Sequence, residues 1–103
     1  MSKKISVLIK EPWVKPRHVN ISDSLENLQK TVGGYIETVT IAEDLVIICN
    51  EYGWINDMPY NCTVCGCALF GTIILCGVDG DEFADLPMTW DKMKQLFPKL
   101  WEV

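Results

Sequence analysis

Tyr35-Ile36-Glu37-Thr38-Val39-Thr40-Ile41, then Ala42-Glu43-Asp44, then Leu45-Val46-Ile47-Ile48-Cys49 is the stretch that decides the fold of this chain. The first segment is rich in β-branched residues, which suit a pleated, half-buried surface. The last is apolar at every position, the mark of a strand covered on both faces at the centre of a sheet. The short turn between them predicts an antiparallel hairpin.

Upstream, residues 23–32 predict a helix. Leu25, Leu28 and Val32 recur on one face. Asp23 can cap it, with Glu26 three residues later as the return partner. Gly33 stands where a helix stops in the left-handed conformation. Further upstream, Ile5-Ser6-Val7-Leu8-Ile9 reads as the first strand. Glu11-Pro12 and Lys15-Pro16 interrupt the chain after it, and residues 17–21 read as an edge strand entered through Pro16.

Downstream, Asn50-Glu51-Tyr52-Gly53 is turn chemistry, and residues 54–60 are irregular. A short helical turn is expected within residues 58–64. A further strand is expected over residues 68–78, centred on Thr72-Ile73-Ile74-Leu75-Cys76, followed by a polar loop at Asp79-Gly80-Asp81. Thr89 can cap a last helix ending near Phe97 at Pro98, with Trp90, Met93, Phe97 and Leu100 as its apolar face. The whole predicts one α+β domain spanning residues 1–103. It is a mostly antiparallel sheet of about five strands with two helices packed on one face, in two layers.

The 103 residues are 49% hydrophobic, enough for one modest core. No run of 18 apolar residues is present, so no transmembrane helix is expected. Met1-Ser2-Lys3-Lys4-Ile5 lacks the apolar stretch of a secretory signal, and a cytoplasmic location is the expectation. The net charge is −5, and the nine basic residues are scattered, which argues against direct nucleic-acid binding.

Five cysteines are an odd number, and without a secretory signal a disulfide framework is disfavoured. Cys62-x-x-Cys65-x-Cys67 is the strongest chemical pattern. Three thiolates at that spacing can share a zinc ion, with a fourth ligand to come from Cys49, Cys76 or His18. There is no second CxxC and no histidine pair. The same cysteines also read as small apolar residues at a strand start. A thiol redox pair is the third possibility, although such pairs open a helix and Gly66 leads into β-rich sequence. Cys49 and Cys76 lie within apolar strands and read as core.

Several short signatures recur in a fixed order: Val32-Gly33-Gly34-Tyr35-Ile36-Glu37, Cys49-Asn50-Glu51-Tyr52-Gly53, Pro59 with Asn61, and Gly71-Thr72. Together they resemble a family of small proteins catalogued only as a domain of unknown function, found in Gram-positive bacteria, their phages and conjugative elements. The resemblance runs from about Ile5 to Phe97. It implies a fold and a mobile-element setting, but no reaction. Cys62 stands where relatives usually carry a basic residue, and Cys65-Gly66-Cys67 is private to this chain. A thiol-based function is therefore not one the resemblance implies.

Glu37, Asn50, Glu51 and Asn61 are the polar members of those signatures. The two asparagines can satisfy backbone groups in the 50–61 loop. Alternatively, that loop and the Glu37 strand form a polar cleft in which Glu37 and Glu51 do acid–base work. Gly33-Gly34 follows a helix, at the negative end of its dipole, which disfavours an anion site. His18, the only histidine, reads as exposed beside Arg17. Trp54 and Tyr60 join the polar loop as candidate contact residues, since loop aromatics are enriched at interfaces. With no nucleophile–base constellation in sight, the expected function is a non-enzymatic binding protein of phage or mobile-element type. It would engage a host protein or a small, nucleotide-like ligand through Glu37, Asn50, Glu51, Trp54, Tyr60 and Asn61, with no resident cofactor and scope for self-association through a strand edge. The alternative is a zinc- or thiol-dependent protein built on Cys62, Cys65 and Cys67.

Overall fold

The computed structural model describes residues 3–102. Met1 and Ser2, part of the stretch read for a leader, and Val103 lie outside the described residues. In chain order the elements are β1 (Lys4–Lys10), β2 (Arg17–Ser22), α1 (Leu25–Val32), β3 (Ile36–Ala42), β4 (Leu45–Asn50), β5 (Tyr60–Val64), β6 (Cys67–Phe70), β7 (Ile73–Asp79), β8 (Glu82–Ala84) and α2 (Trp90–Leu96). A 3₁₀ turn at Pro98–Trp101 comes last.

The main sheet has the order β2-β1-β7-β4-β3, with β8 paired to β7, and every pairing is antiparallel. This is the α+β class that the sequence predicts. β3 and β4 form the expected hairpin, with Val39 opposite Ile47. All six residues of β4 are buried, as its unbroken apolar run requires.

The placement of the helices differs from expectation. They do not share one face, and the domain has three layers rather than two. On one face, Leu28 and Val32 of α1 pack on Ile5, Val7, Ile9, Val46, Ile48 and Ile74. On the other, Leu8, Leu45, Ile47, Ile73 and Leu75 meet Met93 of α2, Leu100, and the inner row of the β5–β6 hairpin. The physical reason lies in the central strands. They are apolar on both sides, and one helix of eight residues covers only one of them.

The β5–β6 hairpin replaces the helical turn expected within residues 58–64. Its turn is Cys65-Gly66, both with positive φ (51° and 79°), as a two-residue type I′ hairpin turn requires. The expected strand over residues 68–78 is in fact two, β6 and β7, in different sheets, separated by Gly71 and Thr72. The Asp79–Asp81 loop is the tip of the β7–β8 hairpin, with Asp79 opposite Glu82. Ser24, not Asp23, caps α1, its hydroxyl accepting the Asn27 N–H at 3.2 Å. Asp23 instead accepts the Lys3 N–H. Leu25 is exposed rather than on the buried face. Gly33 does end α1 in the left-handed conformation, and Thr89 does cap α2.

Candidate functional site

The chain leaves β4 through a turn that Asn50 builds. Its Oδ1 accepts the Tyr52 N–H at 2.8 Å, and its Nδ2 donates to the Val32 carbonyl at 3.2 Å. One side chain thus closes the turn and ties it to the end of α1. The Glu51 N–H donates to the Tyr35 carbonyl, and the Met58 N–H donates to the Gly53 carbonyl. Residues 51–57 therefore form a compact, hydrogen-bonded knob at one end of the sheet. Trp54 stands out from it, 67% exposed.

Between this knob, β3 and β6 lies a pocket of about 100 Å³, lined among others by Glu37, Asn50, Glu51, Trp54, Cys67 and Phe70. Four of the six sequence-designated contact residues meet here. None of the residues lining this pocket is a lysine or arginine. The other two designated residues are elsewhere: Tyr60 and Asn61 border a separate hollow of about 330 Å³ with Cys62 and Thr63, beside Lys99 and Glu102.

Asn61 joins the two sheets. Its Nδ2 donates to the Lys10 and Gly71 carbonyls (2.9 and 2.7 Å), and its Oδ1 accepts from Lys10 Nζ at 2.7 Å. Lys10 is 1% exposed. Its second acceptor is the Glu11 carbonyl at 3.3 Å, and the ion pair among the described residues is Arg17–Glu11, so no carboxylate serves it. Burial lowers the Lys10 pKa below the ordinary lysine value, with the nearby Cys62 thiol acting weakly the other way. The sequence reading missed Lys10. The available signal was phase: Lys10 falls in the same inward row of β1 as Leu8.

The three clustered cysteines part company. Cys62 is buried, Cys65 is exposed at the hairpin tip, and Cys67 is half-buried. Among the described residues, no three His, Cys, Asp or Glu side chains form a group able to hold a metal ion. Cys49 is pushed up to about 11 by burial, with Glu37 and Cys67 adding to it. Burial alone pushes Cys76 up to about 12. In the unfolded chain both thiols ionise near 9, so the native state holds their protons longer. Their contribution to stability is complete below pH 9 and is lost as pH rises through 11 and 12. Urea unfolding from pH 8 upward should show stability falling above pH 9, with a shallower fall in Cys76→Ala. An identical slope in that variant would refute the assignment.

A second constellation was not visible in the sequence. Ser6 Oγ and His18 Nε2 are hydrogen-bonded across β1 and β2, and Asp85 Oδ1 accepts the Ser6 N–H at 2.7 Å. His18 is exposed, as expected, and its ring stands edge-on to Trp90 at 6.4 Å. Among the described residues no carboxylate accepts from the other ring nitrogen, so the ring is not oriented as a catalytic triad needs.

The fold and its pocket define a small, sheet-centred α+β domain whose second, two-stranded sheet covers part of the first. The chain belongs to the family described as Domain of unknown function (DUF3846), whose model matches residues 4–98. No curated protein and no solved structure matches the chain. Among the described residues no helix is long and apolar enough to cross a membrane.

Proposed function

We propose that this protein is a non-enzymatic binding module that takes a cationic side chain of a partner protein into the pocket between β3, the 51–57 knob and β6. In the phage or conjugative-element setting that its motifs suggest, the partner would be a host protein of a defence system in the cytoplasm. The observation that carries the reading is the chemistry of the pocket lining. Two carboxylates, Glu37 and Glu51, and the exposed indole of Trp54 border one hollow that holds no lysine or arginine. An ammonium or guanidinium gains from both the carboxylates and the ring face. A nucleotide phosphate meets only like charge, and at about 100 Å³ the hollow suits a side-chain head better than a whole nucleotide. This favours a protein partner over a nucleotide-like ligand.

The test is an NMR titration of the protein with N-acetyl-arginine amide, alongside ATP. Shifts at the Trp54 indole N–H and the amides of Glu37 and Glu51 are expected with the arginine derivative, and should vanish in Trp54→Ala. That variant should keep its melting temperature, because the ring is largely outside the fold. A response to ATP and none to arginine would overturn the proposal.

A further inference from the structure

The pocket lies beside an open sheet edge. β3 is the last strand in its sheet, paired with β4 on one side only. The Tyr35 carbonyl accepts from Glu51 directly across from it. In an antiparallel ladder the main-chain groups of successive residues turn alternately to the two sides. Counting on from Tyr35, Glu37 and Val39 turn theirs to β4, and Ile36, Thr38 and Thr40 turn theirs outward. The side chains follow the pleat: Val39 and Ile41 lie in the row facing the hairpin core, and Ile36 lies in the row facing α1. Glu37, in phase with Val39, borders the pocket together with it.

Sheet edges are usually blunted by proline, lysine or a bulge. The opposite edge is entered through Pro16 and carries Arg17. β3 has no proline, glycine or lysine; its register is regular from Ile36 to Thr40 and shifts only between Thr40 and Ala42, at the end of the strand away from Glu37.

Building on the pocket reading, we propose that β3 accepts one further antiparallel strand from the partner protein: an extended segment with a basic residue opposite Glu37 and apolar residues opposite Val39 and Ile41. Read from its N-terminus, the segment has the pattern apolar-x-apolar-x-basic. On the outer side of β3 the Glu37 and Val39 positions are the non-hydrogen-bonded ones, where facing side chains come closest, and Ile41, at the register shift before Ala42, extends their apolar row. The basic side chain then reaches Glu37 and continues toward Glu51 and Trp54, while Ile36, Thr38 and Thr40 supply the main-chain bonds. Charge selects this occupant over a second copy. Pairing β3 with itself about Thr38 would set two Glu37 side chains in one row between chains that each carry −5.

The probe is a fluorescently labelled peptide, Ac-TVTVTRT-NH2, followed by polarisation. Wild type should bind it. N-methylation of the peptide residues whose N–H groups face β3, or Thr38→Pro in the protein, should weaken binding about 10-fold or more by removing main-chain bonds. Glu37→Lys should lose this peptide and bind the version carrying Glu in place of Arg. If N-methylation and Thr38→Pro change nothing while Glu37→Lys abolishes binding, strand addition fails and the pocket reading stands. If Glu37→Lys and Trp54→Ala also change nothing, both fail. A free protein that runs as a dimer, and that Thr38→Pro makes monomeric, would show that a second copy holds the edge and would overturn the proposal.

Discussion

Asn61→Ala is expected to be among the most damaging single substitutions away from the apolar core. It strands the Lys10 ammonium in the interior and removes the Asn61 donor from the Lys10 and Gly71 carbonyls. Removing one partner of a buried charge costs about 3–5 kcal/mol. Domains of this size have about 5–15 kcal/mol in total, so the variant should be marginally folded. Lys10→Met is the informative contrast. It keeps the stem's packing and removes the charge with its desolvation cost, leaving one amide oxygen unserved at about 1–3 kcal/mol. Adding Lys10→Met to Asn61→Ala should therefore restore part of the lost stability, readable as a shift of the urea midpoint. A double variant less stable than Asn61→Ala would show that the lysine is not an uncompensated charge. The pH dependence has a definite sign. Because the folded Lys10 pKa lies below 10.5, the unfolded chain binds more protons in that window, and this lysine's contribution to stability rises with pH. Wild type should gain on Lys10→Met as pH approaches 10.5.

Gly77→Ala should be similarly severe for a different reason. A Cβ built at Gly77 would stand 2.1 Å from the Asp85 carbonyl oxygen, a main-chain atom with no rotamer to turn. The contact lies where Gly77 pairs with Ala84 and the chain leaves β8. Overpacking against backbone is expected to cost about 3 kcal/mol or more, lowering the melting temperature on the order of 15 °C. Gly66→Asn is the control. Gly66, unlike Gly77, has a left-handed backbone, with φ of 79°, but nothing lies within 4 Å of its added Cβ. Asparagine tolerates that conformation, so the change should cost about 1 kcal/mol or less. Equal melting points for the two variants would contradict this reading of Gly77.

What the sequence could reveal depended on how local each signal is. The β3–β4 hairpin, Gly33 at the end of α1 and Thr89 at the start of α2 are set by neighbours within a few residues, and all were readable. The split between β6 and β7 was hidden because an apolar run looks alike whether it stays in one sheet or crosses to another. The Cys65-Gly66 turn was hidden by its chemistry. Cysteine is not a usual turn residue, so a short helical turn before a strand start is expected where the hairpin lies. Placing both helices on one face came from pairing each helix with the sheet, without asking what would cover the second apolar side of β4 and β7. At the site, Glu37, Asn50 and Glu51 are named from their signatures and Trp54 as a loop aromatic, and the structure brings the four to one pocket. Lys10, Ser6 and His18 acquire their partners only through strand register, which depends on long-range pairing that a linear reading does not contain.

The sheet order also dictates a timetable. β1–β2 and β3–β4 are complete hairpins once residue 50 has been made, yet they do not touch through hydrogen bonds: β7 alone lies between them. A growing chain on the ribosome therefore carries two half-sheets, each with an unmatched apolar edge, until residues 73–79 emerge. Productive folding should be a late, single event gated by synthesis of that one strand, and slow for the chain's length, because the decisive pairings join residues far apart in sequence. Chains truncated before residue 73 should expose both half-sheets together and be the species most prone to aggregate during expression.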